Sequence, residues 1–301
     1  MNAIQTLLRE SIDYAGLFPP AELDMHAAVG NYARYAAGPW AWALGRFIVP
    51  VSRLEELEIE LGRIPVSGQP PWRGAALLGA DLQIDVELLE RFNRRHQNAG
   101  LLIDTVEVKA TSERRVGEIA AGVPSGWPTY IELPHAGDQR SLVQAVRDSG
   151  RRAKVRTGGV TPEAFPESRD LLQFLRAAVE LAVPFKATAG LHHALRATYR
   201  LTYAENSPRG IMFGFLNLML AVAFLQMGMD EVEVTQVLEE GDPESIQADS
   251  VGIAWRGRHL DRTALSESRR MGMISFGSCS FTEPMEDLEA MGLLAPGVPQ
   301  P

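Results

Sequence analysis

Residues 153–190 read AKVRTGGVTPEAFPESRDLLQFLRAAVELAVPFKATAG. The stretch opens on a short apolar run, 153–157, and closes on another, 184–188, each bounded by glycine or proline as buried strands are. Between them Leu171, Leu172, Phe174, Leu175 and Val179 recur at helical spacing, which places them on one face suited to covering a sheet. Strand, helix, strand in this order is the repeating unit of a parallel sheet with crossover helices.

The alternation continues outward. Strands are expected at 11–14, 47–51, 75–80, 101–109 and 129–133 before this unit and at 273–277 after it, with helical patterns around 86–92, 116–120 and 142–146. A long helical region, about 191–270, precedes the last strand. Eight strands in this pattern predict an α/β fold, a (β/α)8 barrel of the TIM type, with an enlarged helical connection at about 196–270 before the last strand. One barrel domain is expected over 1–295, with 65–71 as a surface loop and 296–301 as a frayed, disordered tail. An open doubly wound sheet is the competing architecture, but no strand runs through Gly-x-Gly-x-x-Gly into a helix.

The 301 residues are 46% hydrophobic and 22% charged, an ordinary globular composition. A net charge of -9 without any basic run argues against a nucleic-acid partner, which needs clustered cations to neutralise phosphates. Cys279 is alone, so no intrachain disulfide forms, and residues 1–10 lack a basic start followed by an apolar run. A cytoplasmic location is expected. Residues 210–229, GIMFGFLNLMLAVAFLQMGM, approach the length of a membrane span but contain Asn217 and Gln226, are followed by Asp230 and Glu231, and have only Arg209 as a basic flank. They read as a helix buried on all sides, within the domain or at a subunit interface, and a homo-oligomer without membrane contact is expected.

Three lysines stand against twenty-six arginines, and each closes an apolar run: Lys109, Lys154 and Lys186. Arginine serves wherever only a positive charge is needed, but it cannot offer the neutral amine that attacks a carbonyl. In a barrel these strand ends are where chemistry is placed. Strand alternation puts Arg156 on the face of Lys154, Thr188 on that of Lys186, and Glu107 and Thr105 on that of Lys109. With Glu132 they would form a mouth of clustered cations and carboxylates, able to lower a lysine pKa; equally, pairs such as Lys109 with Glu132 would fill the interior as salt bridges.

Glycine-bearing loops follow three late strands: Gly158-Gly159, Ala189-Gly190 and Gly277-Ser278. Such turns present backbone N–H groups to an anion, although glycine also appears wherever a turn needs positive φ. His192 and His193 are expected to open the helix after Gly190. With Glu132 and His135 they offer metal-ligating atoms, but adjacent helical side chains diverge by about 100°, so one is expected to be a donor or acid and the other structural. Cys279 is a nucleophile if a histidine adjoins it, and otherwise an inert buried thiol.

Ile12-Asp13-Tyr14 with Leu17 and Pro19, Leu102-Ile103-Asp104-Thr105-Val106, Tyr130-Ile131-Glu132, Lys154 before Arg156-Thr157-Gly158, and Phe185-Lys186-Ala187-Thr188-Ala189-Gly190-Leu191 together resemble the class I aldolases of the deoxyribose-phosphate aldolase type. The likeness covers roughly 11–195 and the last strand, in short motifs, the final one standing where that family has a Lys-Ala-Ser-Gly-Gly-Ile-like run. It implies Lys154 as the imine-forming lysine, Lys186 as the second lysine that lowers its pKa, Asp104 as the proton-shuttling acid, and Gly190 and Ser278 as phosphate holders. Arg156, Glu107, Lys109 and the longer final connection depart from the pattern. Asp104 also lies in opposite phase to Glu107 and Lys109 unless a bulge intervenes, so Glu107 and Glu132 are rival acid–base residues.

The expected activity is that of a Schiff-base lyase on a small phosphorylated or carboxylated carbonyl compound, needing no metal or organic cofactor. Lys109, Arg156, Thr188, Gly158, Gly159, Gly190, His192, Gly277 and Ser278 are its candidate substrate contacts. Two other readings remain: a phosphoribosyltransferase-like barrel enzyme whose cations only bind anions, and a non-catalytic anion-binding or scaffold protein.

Overall fold

Phe185 and Lys186 are chain neighbours that a strand must send to opposite faces. Phe185 meets Phe174 edge to face at 5.2 Å and is fully buried, which turns Lys186 to the other side of the sheet. The same logic acts in the preceding strand, where Ala153 and Val155 are fully buried and Lys154 lies between them. Apolar residues on the helix-facing side thus decide which polar residues enter the barrel.

The computed structural model describes residues 2–63, 72–96 and 100–295; the loop expected at 65–71 and the tail expected at 296–301 lie outside them. Helix α1 (Ala3–Leu8) precedes strand β1 (Ile12–Tyr14). Strand and helix then alternate: α2 (Met25–Ala36), β2 (Leu44–Pro50), α3 (Leu54–Leu61), β3 (Trp72–Leu77), α4 (Leu82–His96), β4 (Leu101–Lys109), α5 (Glu113–Gly122), β5 (Thr129–Leu133), α6 (Gln139–Asp148), β6 (Arg152–Arg156), α7 (Ser168–Glu180) and β7 (Phe185–Thr188). After a long excursion come β13 (Met273–Ser278) and α11 (Thr282–Ala290). The eight parallel strands close in the order β1-β13-β7-β6-β5-β4-β3-β2, a TIM-type barrel. All eight expected strands occur, with ends displaced by a few residues; β3 begins at Trp72 and stops at Leu77.

The connection before the last strand is enlarged, as expected, and contains α8 (Phe215–Gln226), α9 (Glu231–Leu238) and α10 (Arg262–Met271). It also contains five strands that helical periodicity did not suggest. β8 (Ala197–Arg200) and β9 (Arg209–Met212) form a hairpin, and β10 (Ile246–Ala248), β11 (Gly252–Trp255) and β12 (Arg258–Asp261) form an antiparallel sheet. These strands are short, so few residues carry their alternation.

The apolar stretch from 210 to 229 is accordingly not one helix, because its first residues belong to β9. Every residue from Phe215 to Phe224 is buried within this single chain, so the helix leaves no apolar face to motivate an oligomer. No helix among the described residues is long and apolar enough to cross a membrane. Asn217, the polar residue among the buried positions 215–224, is 1% exposed and saturates its amide group. Its Oδ1 accepts from the Arg196 and Gly214 N–H groups at 2.8 and 3.1 Å, and its Nδ2 donates to the Val237 and Glu240 carbonyls at 2.8 and 2.9 Å. One side chain therefore ties α8 to the end of α9 and to the chain entering β8. Asn217→Leu leaves the Arg196 and Gly214 N–H groups and the Glu240 carbonyl without this partner and is expected to cost about 3 kcal/mol or more, read as a lower urea midpoint; an unchanged midpoint would contradict this role.

Candidate active site

Parallel register sets Lys109 beside Glu132, Glu132 beside Lys154, and Lys154 beside Lys186 on adjacent strands β4 to β7. Closure of the barrel adds Asp13 from β1. The side chains form one alternating line of charges. Lys186 Nζ lies 2.5 Å from Asp13 Oδ2 and 2.6 Å from Glu107 Oε1. Lys154 Nζ lies 2.7 Å from Glu107 Oε2 and 2.8 Å from Glu132 Oε2. Lys109 Nζ completes the line 3.6 Å from Glu132 Oε1. Ser275 donates to Asp13 Oδ2 at 2.8 Å, the Arg46 N–H donates to Asp13 Oδ1 at 2.8 Å, and the Tyr130 ring faces Lys186 at 5.6 Å.

Burial grades along this line. The Lys186 and Lys154 side chains are 1% and 5% exposed, whereas that of Lys109 is 73% exposed. Burial alone would push the Glu107 carboxyl up, but the two ammonium groups outweigh it and hold it near 2. Burial would likewise push Lys186 down, yet Asp13 and Glu107 raise it well above the ordinary lysine value, so it stays charged. The Glu132 carboxyl, also against its burial, is lowered by Lys154 and then Lys109.

The line ends in a cavity of about 270 Å³ at the C-terminal mouth of the barrel, bounded by Glu107, Lys109, Glu132, Lys154, Arg156 and Lys186 on one side. Ala15, Ile48 and Leu77, from the β1 to β3 side, form an apolar wall opposite, under Phe18, Pro19, Pro20 and Val160. Thr188, Ala189, Gly190, Gly159, Gly277, His192 and Cys279 complete the lining. Arg156 is exposed at the rim, and among the described residues its guanidinium makes a single long hydrogen bond, 3.5 Å to its own loop at Gly158 O.

Three expected contacts are placed elsewhere. The bulge that Asp104 required is present, since the β3–β4 register shifts between Ile103 and Thr105. It delivers Asp104 to Arg46, at 2.5 and 2.9 Å, instead of to the lysines. Asp104 is three residues before Glu107, about 10 Å toward the N-terminal end of the barrel, and it does not line the cavity. Ser278 is 1% exposed, with its Oγ 3.3 Å from His192 Nδ1. Gly158 makes room for an aromatic ring: a Cβ there would lie 2.4 Å from Phe165. Gly190, which does line the cavity, also needs its φ of +71° and would meet the same ring at 2.7 Å. Gly158 and Gly190 thus answer to Phe165 as much as to a ligand, whereas a Cβ at Gly159 would meet Ala164 at 2.7 Å.

His192 and His193 lie in an irregular segment, not at the start of a helix. His193 binds Asp287 at 3.1 Å and stacks on Tyr199. His192 lies 3.5 Å from the Cys279 sulfur. Burial pushes the thiol up to about 11 and, with His193 nearby, the imidazole down to about 4, so the pair is neutral at pH 7 and the thiol is no nucleophile. No group of three metal-ligating side chains occurs among the described residues, His135 and Glu132 included.

Sequence reasoning gave no role to Asp13, Ser275 or the apolar wall. Asp13 had a signal: it is a carboxylate between Ile12 and Tyr14 in a strand whose neighbours are apolar. The chain matches no family model, no curated protein and no solved structure. Glu107→Gln removes the charge that Lys154 and Lys186 share, and a loss of about 3–5 kcal/mol is expected at pH 7. Because the folded Glu107 carboxyl is depressed from 4.5 to about 2, its contribution is complete above pH 4.5 and disappears as pH falls toward 2. The wild-type urea midpoint should therefore fall more steeply across that window than the variant's, and parallel curves would exclude the assignment.

Proposed function

We propose that this chain is a Schiff-base-forming lyase acting on a small carbonyl compound that carries a carboxylate or phosphate. The observation that carries this reading is the pairing of Lys154 with Lys186 at one level on neighbouring strands, both bonded to Glu107 and both lining one cavity. Lys154 is the nucleophile. Its proton has a short path to Glu132 at 2.8 Å, whereas Lys186 is enclosed by Asp13, Glu107 and Tyr130 and stays charged.

In the first step Lys154 gives a proton to Glu132, and the neutral amine attacks the substrate carbonyl carbon. One proton of the attacking nitrogen passes to the former carbonyl oxygen to give a carbinolamine, and Glu132 then returns its proton to that hydroxyl, which leaves as water. The iminium that results has the charge Lys154 began with, so the pairing with Glu107 and Glu132 is retained. That balance supports an imine here on electrostatic grounds. For cleavage, Glu132 takes the proton of a hydroxyl on the β-carbon, the C–C bond breaks, and its electron pair enters the iminium to leave an enamine. Lys186 keeps Glu107 ionised throughout.

Lys109 and Arg156 at the rim are the cations free enough to hold the substrate's anionic group. The phosphoribosyltransferase-like reading asks Lys154 and Lys186 to do this as well, but each is already engaged by two carboxylates. Incubation with small aldehydes and keto acids plus borohydride, followed by peptide mass mapping, is expected to give a reduced adduct on Lys154 and none in Lys154→Arg. No adduct across a broad panel, or an adduct on Lys186 alone, would count against the mechanism. Arg156→Ala is expected to raise KM for keto acids about tenfold with kcat changed less, in steady-state assays; a fall in kcat alone would place Arg156 elsewhere.

A further inference from the structure

The hairpin β8–β9 sets Arg200 directly opposite Arg209. Like charges facing each other across an antiparallel pair are destabilising, and a hairpin of four residues a side has little stability to spare. The Arg209 guanidinium is fixed by a 2.8 Å bond to the Thr198 carbonyl, and Arg200 is exposed with no ion pair among the described residues. Both line a groove of about 380 Å³ that shares Pro20 and His192 with the catalytic cavity. Tyr199, held flat against His193 at 3.7 Å, and Tyr203 provide aromatic walls. Glu283 is the one acidic residue in the lining; the Tyr203 hydroxyl donates to it at 3.2 Å, and burial raises its carboxyl. In a chain with 38 acidic and 29 basic residues, a groove with two arginines and one carboxylate reverses the local field.

We infer that this groove binds a second anionic group, a carboxylate or phosphate, at the far end of the substrate, whose carbonyl reaches Lys154. The two arginines repel each other until the anion lies between them, and the shared lining lets one extended molecule occupy both spaces. The natural substrate is then anionic at both ends, with one end at the Lys109–Arg156 rim and the other at the hairpin. Assigning the anion to the substrate rests on the imine reading above.

Calorimetric titration of the full chain with inorganic phosphate and with glutarate tests the groove itself. Saturable binding of at least one probe is expected, with affinity reduced about tenfold or more in Arg200→Gln/Arg209→Gln, whose thermal midpoint should change little because the relieved repulsion offsets the lost Arg209 bond to the Thr198 carbonyl. The tighter probe distinguishes phosphate from carboxylate. No saturable binding, or equal binding by the double variant, would overturn the site. Borohydride trapping of ω-carboxylated against neutral aldehydes of equal length tests the link to the substrate: a preference for the charged series should collapse about tenfold in the double variant. Saturable binding without that preference would overturn the assignment to the substrate. If no aldehyde is trapped at all, the imine reading fails while calorimetry still decides the groove.

Discussion

Glu107 lies between two buried lysines, and most of the barrel mouth follows from that contact. Two ammonium groups on adjacent strands repel strongly away from water unless a carboxylate separates them, and Glu107 gives one oxygen to each. The remaining valences extend the line outward to Glu132 and Lys109 and inward to Asp13. Asp13 reaches Lys186 only because β1 and β13 close the barrel, so the ring of strands and the line of charges support each other. The line holds three lysines and three carboxylates and is internally neutral. Lys154 and Lys186 sit in enclosed sites that suit a compact ammonium better than a guanidinium, and the proposed mechanism adds a second reason, since it asks Lys154 to give up a proton.

The barrel was legible because its helix-facing residues are large and apolar, and Phe185 or Val155 beside a lysine leaves the lysine only one face to take. The roles of Lys154, Lys186, Glu107 and Glu132 as neighbours followed from alternation and strand order alone. Asp104 shows where alternation stops being sufficient. A one-residue bulge restores its inward direction, but the same shift aims it at Arg46, which no pattern along β4 reveals. Ser278 and Gly158 lie outside the cavity lining, which the sequence does not reveal because a glycine or serine after a strand has the same appearance whether it faces a ligand or a side chain such as Phe165 or His192. The five short strands of the excursion were hidden for a simpler reason: three or four residues do not establish a period.

The cavity separates its two chemistries by strand number. Strands β4 to β7 give the charged wall, and the β1 to β3 side gives Ala15, Ile48 and Leu77. In the proposed reaction, a carbonyl held at Lys154 would have fixed charge on one side and apolar surface on the other, an arrangement that excludes water and strengthens the ion pairs beside it. The excursion between β7 and β13 adds to the core through α8, α9 and the β10–β12 sheet, and its β8–β9 hairpin lines a second groove that shares Pro20 and His192 with the cavity.

The presence of only three lysines allows a direct measurement, because labelling with [ε-13C]lysine gives one resonance for each of Lys109, Lys154 and Lys186. A pH titration of these resonances, repeated after borohydride reduction with a small aldehyde, tests both halves of the mechanism. The expected result is that Lys186 stays in its charged position beyond the ordinary lysine range and that reduction displaces the Lys154 resonance alone. Titration of Lys186 below the ordinary lysine value, or displacement of its resonance in place of that of Lys154, would contradict the division of labour between the two lysines.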